Sequence, residues 1–267
     1  MSRKPSLLAT MGDGWLAPSG WLAARGYSRG LLGQYVQRGW LVSPARGVFH
    51  RQGSVPSWHT VVFSLQRLAG LPLHVGGRYA LQLQGQDHYL RMGPANVTLF
   101  GNARLPAWVN DLGLKETFTV RTDAALGLGA MVPAQRDDRD ALLALGLEAL
   151  PGDRPNCTVV SSMPERAVLE LLYDAPHSAS AAEADAVLQG MSRLRPALVS
   201  QLLRRCTHVK VKRLFLALAE RHGHAWFDHL DLEGVDLGTG KRQLRVGERM
   251  HPKYLISLPK DLDEQLG

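Results

Sequence analysis

The chain of 267 residues is short of several things, and each shortage excludes a class of protein. Its two cysteines, Cys157 and Cys206, are too few for a disulfide framework. One bridge can be drawn between them, but two thiols of an intracellular protein are the favoured reading. No apolar run approaches the roughly 20 residues that span a bilayer, and no long basic amphipathic helix is available to lie on one. The first residues, MSRKPSLLATMGDGW, are basic but have neither a long apolar core nor a small-residue cleavage site, so a cytoplasmic protein is expected. There is no internal repeat, no low-complexity tract and no local signature of a nucleophile, and enzyme activity is not expected.

One further shortage is local. Residues 1–56 contain a single acidic residue, Asp13, against seven basic ones: Arg3, Lys4, Arg25, Arg29, Arg38, Arg46 and Arg51. This fifth of the chain therefore supplies +6 of the formal charge of +7. The stretch from Ser28 to Arg51 carries four arginines and no carboxylate. A solvated face ordinarily mixes signs, so charge of one sign on a small segment is a footprint for a polyanion. The rest of the composition, 45% hydrophobic and 21% charged, is that of a globular chain long enough for two domains.

The apolar pattern gives that segment a shape. SGWLAARGYSRGLLGQYVQRGWLV predicts two short helices joined by a tight turn. Ser19 is the N-cap candidate of the first, Trp21, Leu22 and Ala24 open its apolar stripe, and Gly26 ends it in the left-handed conformation. Ser28 caps the second helix. Leu31, Leu32, Tyr35 and Val36 recur at helical spacing on its buried side, and Arg29, Gly30, Gly33, Gln34, Gln37 and Arg38 occupy the other. Arginine reads guanine edges bidentately, glutamine reads adenine, and two glycines let a helix backbone come close to phosphate. The plainer alternative is a surface helix weakened by glycine. After Gly39 the period changes, and Trp40–Val42 and Val48–Arg51 form a hairpin around a Ser-Pro-Ala-Arg-Gly turn, with Arg46 at the tip and Arg51 on the returning strand. The candidate DNA-facing residues are thus Ser28, Arg29, Gln34, Gln37, Arg38, Arg46 and Arg51.

Beyond residue 56 the signals are those of an α+β body (57–267) carried on a short hinge near Ser54–Ser57. Residues 57–70 read as an amphipathic helix with a Ser57 cap and a Gly70 stop. Gly76-Gly77 reads as a turn, followed by antiparallel strands at ALQLQ (80–84), HYLRM (88–92), VTLFG (97–101) and TFTVR (117–121), the first two joined by a QGQD hairpin. PGDRPN (151–156) is the best candidate for an internal linker, although a surface loop looks the same. Ser162 and Glu165 have capping-box spacing ahead of RAVLELLYD. Further helices are predicted at 182–191, 196–206 and 209–222, and KRQLRV and YLISL near the end suggest short strands.

Taken in order, these segments resemble a known family. YSRGLLGQYVQRGWL with PARGVFHR is similar to the N-terminal winged helix of AbiEi-type antitoxins of type IV toxin–antitoxin systems. SWHTVVFSLQRLAGLPLHVGGRYALQLQGQDHYL, LFGNARLPAWV, MPERAVLELLYDAP, LRPALVSQLLRRCTHVKVKRLFLALAERHGHAWF and VDLGTGKRQL continue the likeness over about residues 15–255. The resemblance implies a winged-helix transcriptional regulator that represses its own operon at inverted repeats. It also implies a C-terminal domain that counteracts a nucleotidyltransferase toxin without a stable complex, and no cofactor. The two glycines of the second helix depart from many relatives and leave the contact pattern open. Two rivals stand beside this reading: a winged-helix regulator whose α+β body senses a ligand and has no toxin partner, and a nucleic-acid-processing enzyme that uses the winged helix for delivery.

Other groupings in the sequence are weaker. Cys206, His208, His222 and His224 have ligand chemistry, but the pairs sit at opposite ends of one helix, roughly 20 Å apart at 1.5 Å per residue, and no metal site is expected. GTGKR (238–242) lacks the spacing of a phosphate loop and reads as a hairpin turn. Asp137, Asp138 and Asp140 alternate with Arg136 and Arg139 and read as a solvated loop. Lys210, Lys212, Arg213 and Arg221 place cations near a helix N-terminus, against the macrodipole. They read either as a basic antitoxin surface or, preferably, as structural charges answered by neighbouring carboxylates.

Overall fold

The structure, a computed structural model, describes residues 6–85, 96–122, 124–174, 181–242 and 249–258. Leu7, Met11, Leu22, Leu32, Tyr35 and Leu41 form a small core of their own at the N-terminal end. With Ala17 and the half-buried Phe49, they come from α1 (Ser6–Thr10) and the residue after it, α2 (Ser19–Ala23), α3 (Arg29–Gln37) and the strands β1 (Ala17–Pro18), β2 (Leu41–Ala45) and β3 (Val48–Arg51). The strands make an antiparallel sheet of order β1-β3-β2, which completes a winged helix. Gly26 ends α2 with φ +85°, and the amides of Gly26 and Tyr27 donate to Ala23 and Leu22. The start of α2 differs from expectation: Pro18 is the N-cap, and the Ser19 amide donates instead to the Gly47 carbonyl at the wing turn, at 2.8 Å. Ser28 caps α3 as its position predicts, its Oγ accepting from the Leu31 amide at 3.3 Å. The third wing strand, β1, is two residues long and has no periodicity by which a sequence reveals it.

The expected hinge is a packed seam. Leu16 belongs to the large core of the body, its amide donates to Ser64 Oγ at 2.9 Å, and Trp15 lies 4.6 Å from the Phe63 ring. Ser54 is buried, with its hydroxyl donating to the Arg51 carbonyl at 2.8 Å. Ser57 caps the next helix in a capping box with Thr60 and donates to Asp153 at 3.0 Å. Arg154 pairs with Asp13 across the same seam at 3.2 Å.

That helix, α4 (Trp58–Phe63), runs on as a π-helix over Ser64–Leu68 before Gly70 turns the chain at φ +68°. The sequence suggests an amphipathic helix, yet Thr60 through Gln66 are all buried. The winged helix covers the side that would otherwise face solvent. Next come β4 (Leu73–Val75), α5 (Gly77–Leu83), β5 (Asn96–Gly101), a 3-10 turn at Ala107–Leu112 and β6 (Thr117–Arg121). They are followed by a 3-10 turn at Pro133–Gln135, α6 (Arg139–Ala144), β7 (Leu147–Pro151) and β8 (Thr158–Ser162). The sheet order is β6-β5-β4-β8-β7, with β4–β5 and β7–β8 antiparallel and β5–β6 and β4–β8 parallel. Helix α7 (Pro164–Asp174) packs against α5, α8 (Ala181–Gly190), α9 (Pro196–Arg205) and α10 (Val209–His222). A last short pair, β9 (Arg249–Met250) and β10 (Ser257–Leu258), is antiparallel.

Four expectations fail here, each for a physical reason. ALQLQ is not a strand but part of α5; five residues of alternation are too few to separate the two periods. TFTVR is a strand, but it pairs parallel with VTLFG, because the chain crosses over through the 107–112 turn instead of a tight hairpin. HYLRM and the second half of QGQD lie outside the described residues. PGDRPN is not a linker: it is the turn between β7 and β8 of one sheet. Finally, Ser162 does not cap α7, which starts at Pro164; its hydroxyl is used in the core.

The core use is a buried carboxylate. Glu170 is fully enclosed, and it accepts from His74 Nε2 at 2.8 Å, Arg166 Nε at 2.7 Å, Ser162 Oγ at 2.8 Å and the Gly77 amide at 2.9 Å. A Cβ on Gly76 would come 2.3 Å from Glu170 Oε2 and 2.5 Å from the Phe100 ring, so the Gly76-Gly77 pair exists to let backbone approach the carboxylate. Burial pushes the Glu170 carboxyl up, but His74 and then Arg166 outweigh it and hold the group down at about 2. Both thiols are free and buried, and burial raises Cys157 to about 12.

Because the folded-state value lies below the ordinary 4.5, Glu170 contributes stability that is complete above that value and is lost as pH falls toward 2. Glu170→Gln is expected to cost about 3–5 kcal/mol at neutral pH, since it strands a buried cation, and to flatten the decline of stability with acid. Denaturant melts of both proteins from neutral pH down to about pH 3 test this; parallel acid limbs in the two would refute it.

Candidate nucleic-acid interface

The outward face of α3 repeats at i, i+3, i+4 and i+7: Gly30, Gly33, Gln34 and Gln37, flanked by Arg29 and Arg38. All six are exposed, as is Ser28, whereas Leu32 and Tyr35 are buried beneath them. The body does not cover this face. A Cβ placed on Gly30 or Gly33 meets nothing within 4 Å, and neither residue has a positive φ, so the fold itself has no use for glycine at either position. The helix keeps a flat strip of bare backbone at a cost of about 1 kcal/mol per glycine relative to alanine.

Aromatic rings support the strip from behind. Tyr35 lies 5.4 Å from Trp40, and the Arg38 guanidinium is held over Trp40, 5.4 Å from its centroid. On α2, Arg25 sits 3.6 Å over the Trp21 ring and donates to the Trp21 carbonyl at 3.2 Å. Arg25 is exposed beside α3 and is missing from the seven candidates drawn from sequence; the signal for it was the i, i+4 spacing of Trp21 and Arg25.

The structure brings Ser28, Arg29, Gln34, Gln37 and Arg38 together on one helix, while the wing arginines stand apart. Arg46 is exposed at the turn where Ala45 pairs with Val48. Arg51 is at the other end of β3, opposite Leu41, and its guanidinium donates to the Met11 carbonyl at 3.3 Å. The one acidic residue of the first 56, Asp13, is turned toward the body by Arg154. Arg3 and Lys4 lie outside the described residues.

The second basic grouping is not a surface. Lys212 and Arg213 are 2% and 3% exposed. Arg213 donates to the carbonyls of Leu237, Gly240, Gly238 and Leu255 at 2.6–3.1 Å, and Arg221 pairs with Asp185 at 3.5 Å. Lys210 alone of the four is exposed. Carbonyls, rather than the carboxylates anticipated, thus account for Arg213 at the start of α10. The same contacts explain GTGKR: its backbone turns carbonyls toward a cation, the reverse of a phosphate loop, whose amides point at an anion.

The remaining groupings are structural too. His208 Nδ1 accepts from the Val211 amide, His222 Nε2 bonds Asp185 at 2.8 Å and His224 Nε2 bonds the Leu188 carbonyl at 2.8 Å. Asp137 and Asp138 do not belong to a merely solvated loop: Asp138 caps α6, and Asp137 takes both terminal nitrogens of Arg67. Among the described residues no group of three or more His, Cys, Asp or Glu is placed to hold a metal, and no helix is long and apolar enough to cross a membrane.

Comparison with known proteins assigns the chain to a family. Residues 1–92 match the family model described as transcriptional regulator, AbiEi antitoxin N-terminal domain. Residues 94–259 match the one described as transcriptional regulator, AbiEi antitoxin, type IV TA system. The N-terminal family unit therefore takes in α4, β4 and α5 as well as the winged helix. A search of curated proteins gives no match. Among solved structures the chain is similar to the RV2827C protein of Mycobacterium tuberculosis, with a TM-score of 0.52 at 15% identity over 91% of this chain and 85% of that one, a likeness of fold. The chain belongs to the AbiEi antitoxin family of transcriptional regulators from type IV toxin–antitoxin systems, a family of regulators rather than enzymes.

Proposed function

We propose that this protein is a cytoplasmic autorepressor and antitoxin: its winged helix binds inverted repeats at its own operon, and its body counteracts a nucleotidyltransferase toxin without forming a stable complex with it. The observation that carries the DNA-binding half is the uncovered face of α3, where Ser28, Arg29, Gln34, Gln37 and Arg38 surround two glycines that the fold does not require. The Ser28 hydroxyl and Arg29 lie at the N-terminus of α3 and suit a phosphate. Gln34 and Gln37, on the bare strip, suit base edges. Arg25, Arg38, Arg46 and Arg51 suit the flanking backbone, with Arg46 reaching furthest along the wing.

Affinity then comes largely from counterion release. With Arg25, Arg29, Arg38, Arg46 and Arg51 on phosphate, log K for a duplex from the upstream region falls against log salt with a slope of about −4 to −5. Gln37→Ala changes sequence preference, whereas Arg46→Ala weakens all sequences alike. Fluorescence anisotropy on matched and scrambled duplexes checks both, and a salt-insensitive complex sinks the interface.

Gly33→Ala separates function from folding. It is expected to stabilise the protein by up to about 1 kcal/mol and to weaken DNA binding, because the added methyl group holds the helix off the duplex. A loss of both stability and binding would mean that the glycine serves the fold.

The antitoxin half is tested by growth rescue in cells producing the toxin. Full-length protein and the Gln37→Ala, Arg46→Ala double variant both rescue if the body acts apart from operator binding. Failure of the wild type to rescue refutes the antitoxin assignment.

A further inference from the structure

On the body, away from the interface just described, a cleft of about 500 Å³ opens between α6, β7 and the π-helix that follows α4. That volume is in the range of small-molecule sites. The cleft persists because Leu142 and Leu147 pack with Met131 and Val160 in a small core of their own, separate from the main one. Its floor is apolar, with Leu142, Leu147 and Met163, and its rim carries four arginines: Arg67, Arg136, Arg139 and Arg195.

The rim is arranged for an anion at one end. Arg136 is aimed by donating its Nε to the Pro133 carbonyl at 2.5 Å and an Nη to the Gln66 carbonyl. Burial and then the neighbouring Arg67 guanidinium lower its pKa, as expected of two like charges that face one space. Arg139 is exposed and makes no hydrogen bond or ion pair among the described residues. Asp137 answers Arg67 with both carboxylate oxygens, but its side chain is 70% exposed, so solvent screens the pair and an incoming anion competes with it for the guanidinium. The other end is different. Arg195 is committed to Glu165 through Nε and Nη2 at 2.9 and 2.8 Å, and Glu148 stands beside it. Thr158, which bonds Arg67, pairs with Pro151, three residues along β7 from Glu148. The two ends are therefore about 10 Å apart at 3.3 Å per residue.

We propose that this cleft binds a small organic phosphate, its apolar body on Leu142, Leu147 and Met163 and its head on Arg67, Arg136 and Arg139, and that its occupancy changes the affinity of the winged helix for DNA. The second clause rests on the DNA-binding reading above. Its physical basis is the π-helix. Arg67 lines the cleft and the Gln66 carbonyl holds Arg136 at its rim, while Ser64 Oγ accepts from the Leu16 amide of the winged-helix unit and Leu68 packs against the winged-helix core. One irregular turn thus touches the cleft with one side and carries the DNA-binding unit on the other, and π-turns of this kind recur at functional sites.

The test uses the full chain and phenyl phosphate as probe, with inorganic phosphate and phenol as its two halves. Calorimetry without DNA is expected to show saturable phenyl phosphate binding at least ~10-fold tighter than either half. Arg139→Glu is expected to weaken it at least ~10-fold while leaving the melting temperature and ligand-free DNA affinity unchanged. Anisotropy on the upstream duplex is then expected to show a shift in DNA affinity with phenyl phosphate that is absent in the variant. By reciprocity, saturating DNA shifts phenyl phosphate affinity by the same factor. Absence of saturable binding, or equal binding by Arg139→Glu, overturns the site. Binding with unchanged DNA affinity overturns the coupling. If the protein fails to bind DNA at all, the coupling falls with the DNA-binding reading, and the calorimetry still decides the site.

Discussion

Glu170 is the point through which the body is tied together. Its two oxygens receive a histidine from β4, the backbone at the start of α5, a hydroxyl from β8 and a guanidinium one turn back on its own helix. A charge enclosed in this way is tolerable only when nearly every lone pair is answered, and each answer fixes one more element. Arg166 passes the constraint on: it also donates to the carbonyls of Gly129 and Leu145, which positions the loop before the 133–135 turn and the end of α6. Helix α6, so held, lines the arginine-rimmed cleft through Leu142 and Leu143. One wall of the cleft is thus tied to the centre of the molecule, where the Gly76-Gly77 pair makes room for the Glu170 carboxylate.

The distribution of cations follows from a second constraint. In the body, arginines are spent on carbonyls and carboxylates: Arg213 on four carbonyls, Arg195 on Glu165, Arg204 on Asp231, Arg121 on Asp174. In the winged helix none is paired with a carboxylate among the described residues, although Arg25 and Arg51 each donate to a carbonyl. Arg25 and Arg38 rest on indole rings, which orient a guanidinium without neutralising it, and Arg29 and Arg46 stand in solvent. A near-neutral body and a cationic head are two uses of one residue type, separated by whether acidic partners were supplied. The head gathers its unanswered charge on one small surface, which suits a polyanion.

What the sequence made legible was local and periodic. The Ser28 cap, the Gly26 stop, the α3 stripe and α10 at residues 209–222 are short-range patterns, and each is present where it was expected. The losses were non-local. β1 has two residues and no pattern; its pairing with β3 depends on the Ser19 amide finding Gly47. ALQLQ satisfied strand and helix alike until the Glu170 carboxylate fixed the start of α5. The seam misled in a similar way: Ser54–Ser57 is polar and short, as hinges are, but its hydroxyls are taken up by Arg51, Thr60 and Asp153, partners up to 96 residues away. At the interface the helix face was readable from spacing, whereas the basic cluster on α10 was not, because no pattern in KVKR tells a surface charge from one buried among carbonyls.

The packed seam changes how the proposed interface must work. A winged helix on a free linker would lose rotational freedom on docking, whereas one fixed by Leu16, Trp15 and Asp13 against the body has already lost it during folding. The same fixation means that the duplex meets head and body in one relative orientation, so that α3 can be used only if nothing on the body projects past it. Ser28 and every outward residue to Gly39 are exposed, so no described part of the body lies directly on that face. It also gives the π-helix a reason to exist. A regular helix at Ser64–Leu68 would hold its turns with the usual spacing. The π-turn instead places the Ser64 hydroxyl under Leu16 and Gln66 between β4 and β8, where it bonds Leu73 and Val160. Through Ser64 the turn reaches the head and through Gln66 it is anchored in the sheet, so beside the Trp15–Phe63 and Asp13–Arg154 contacts it helps set where α3 stands in the proposed complex.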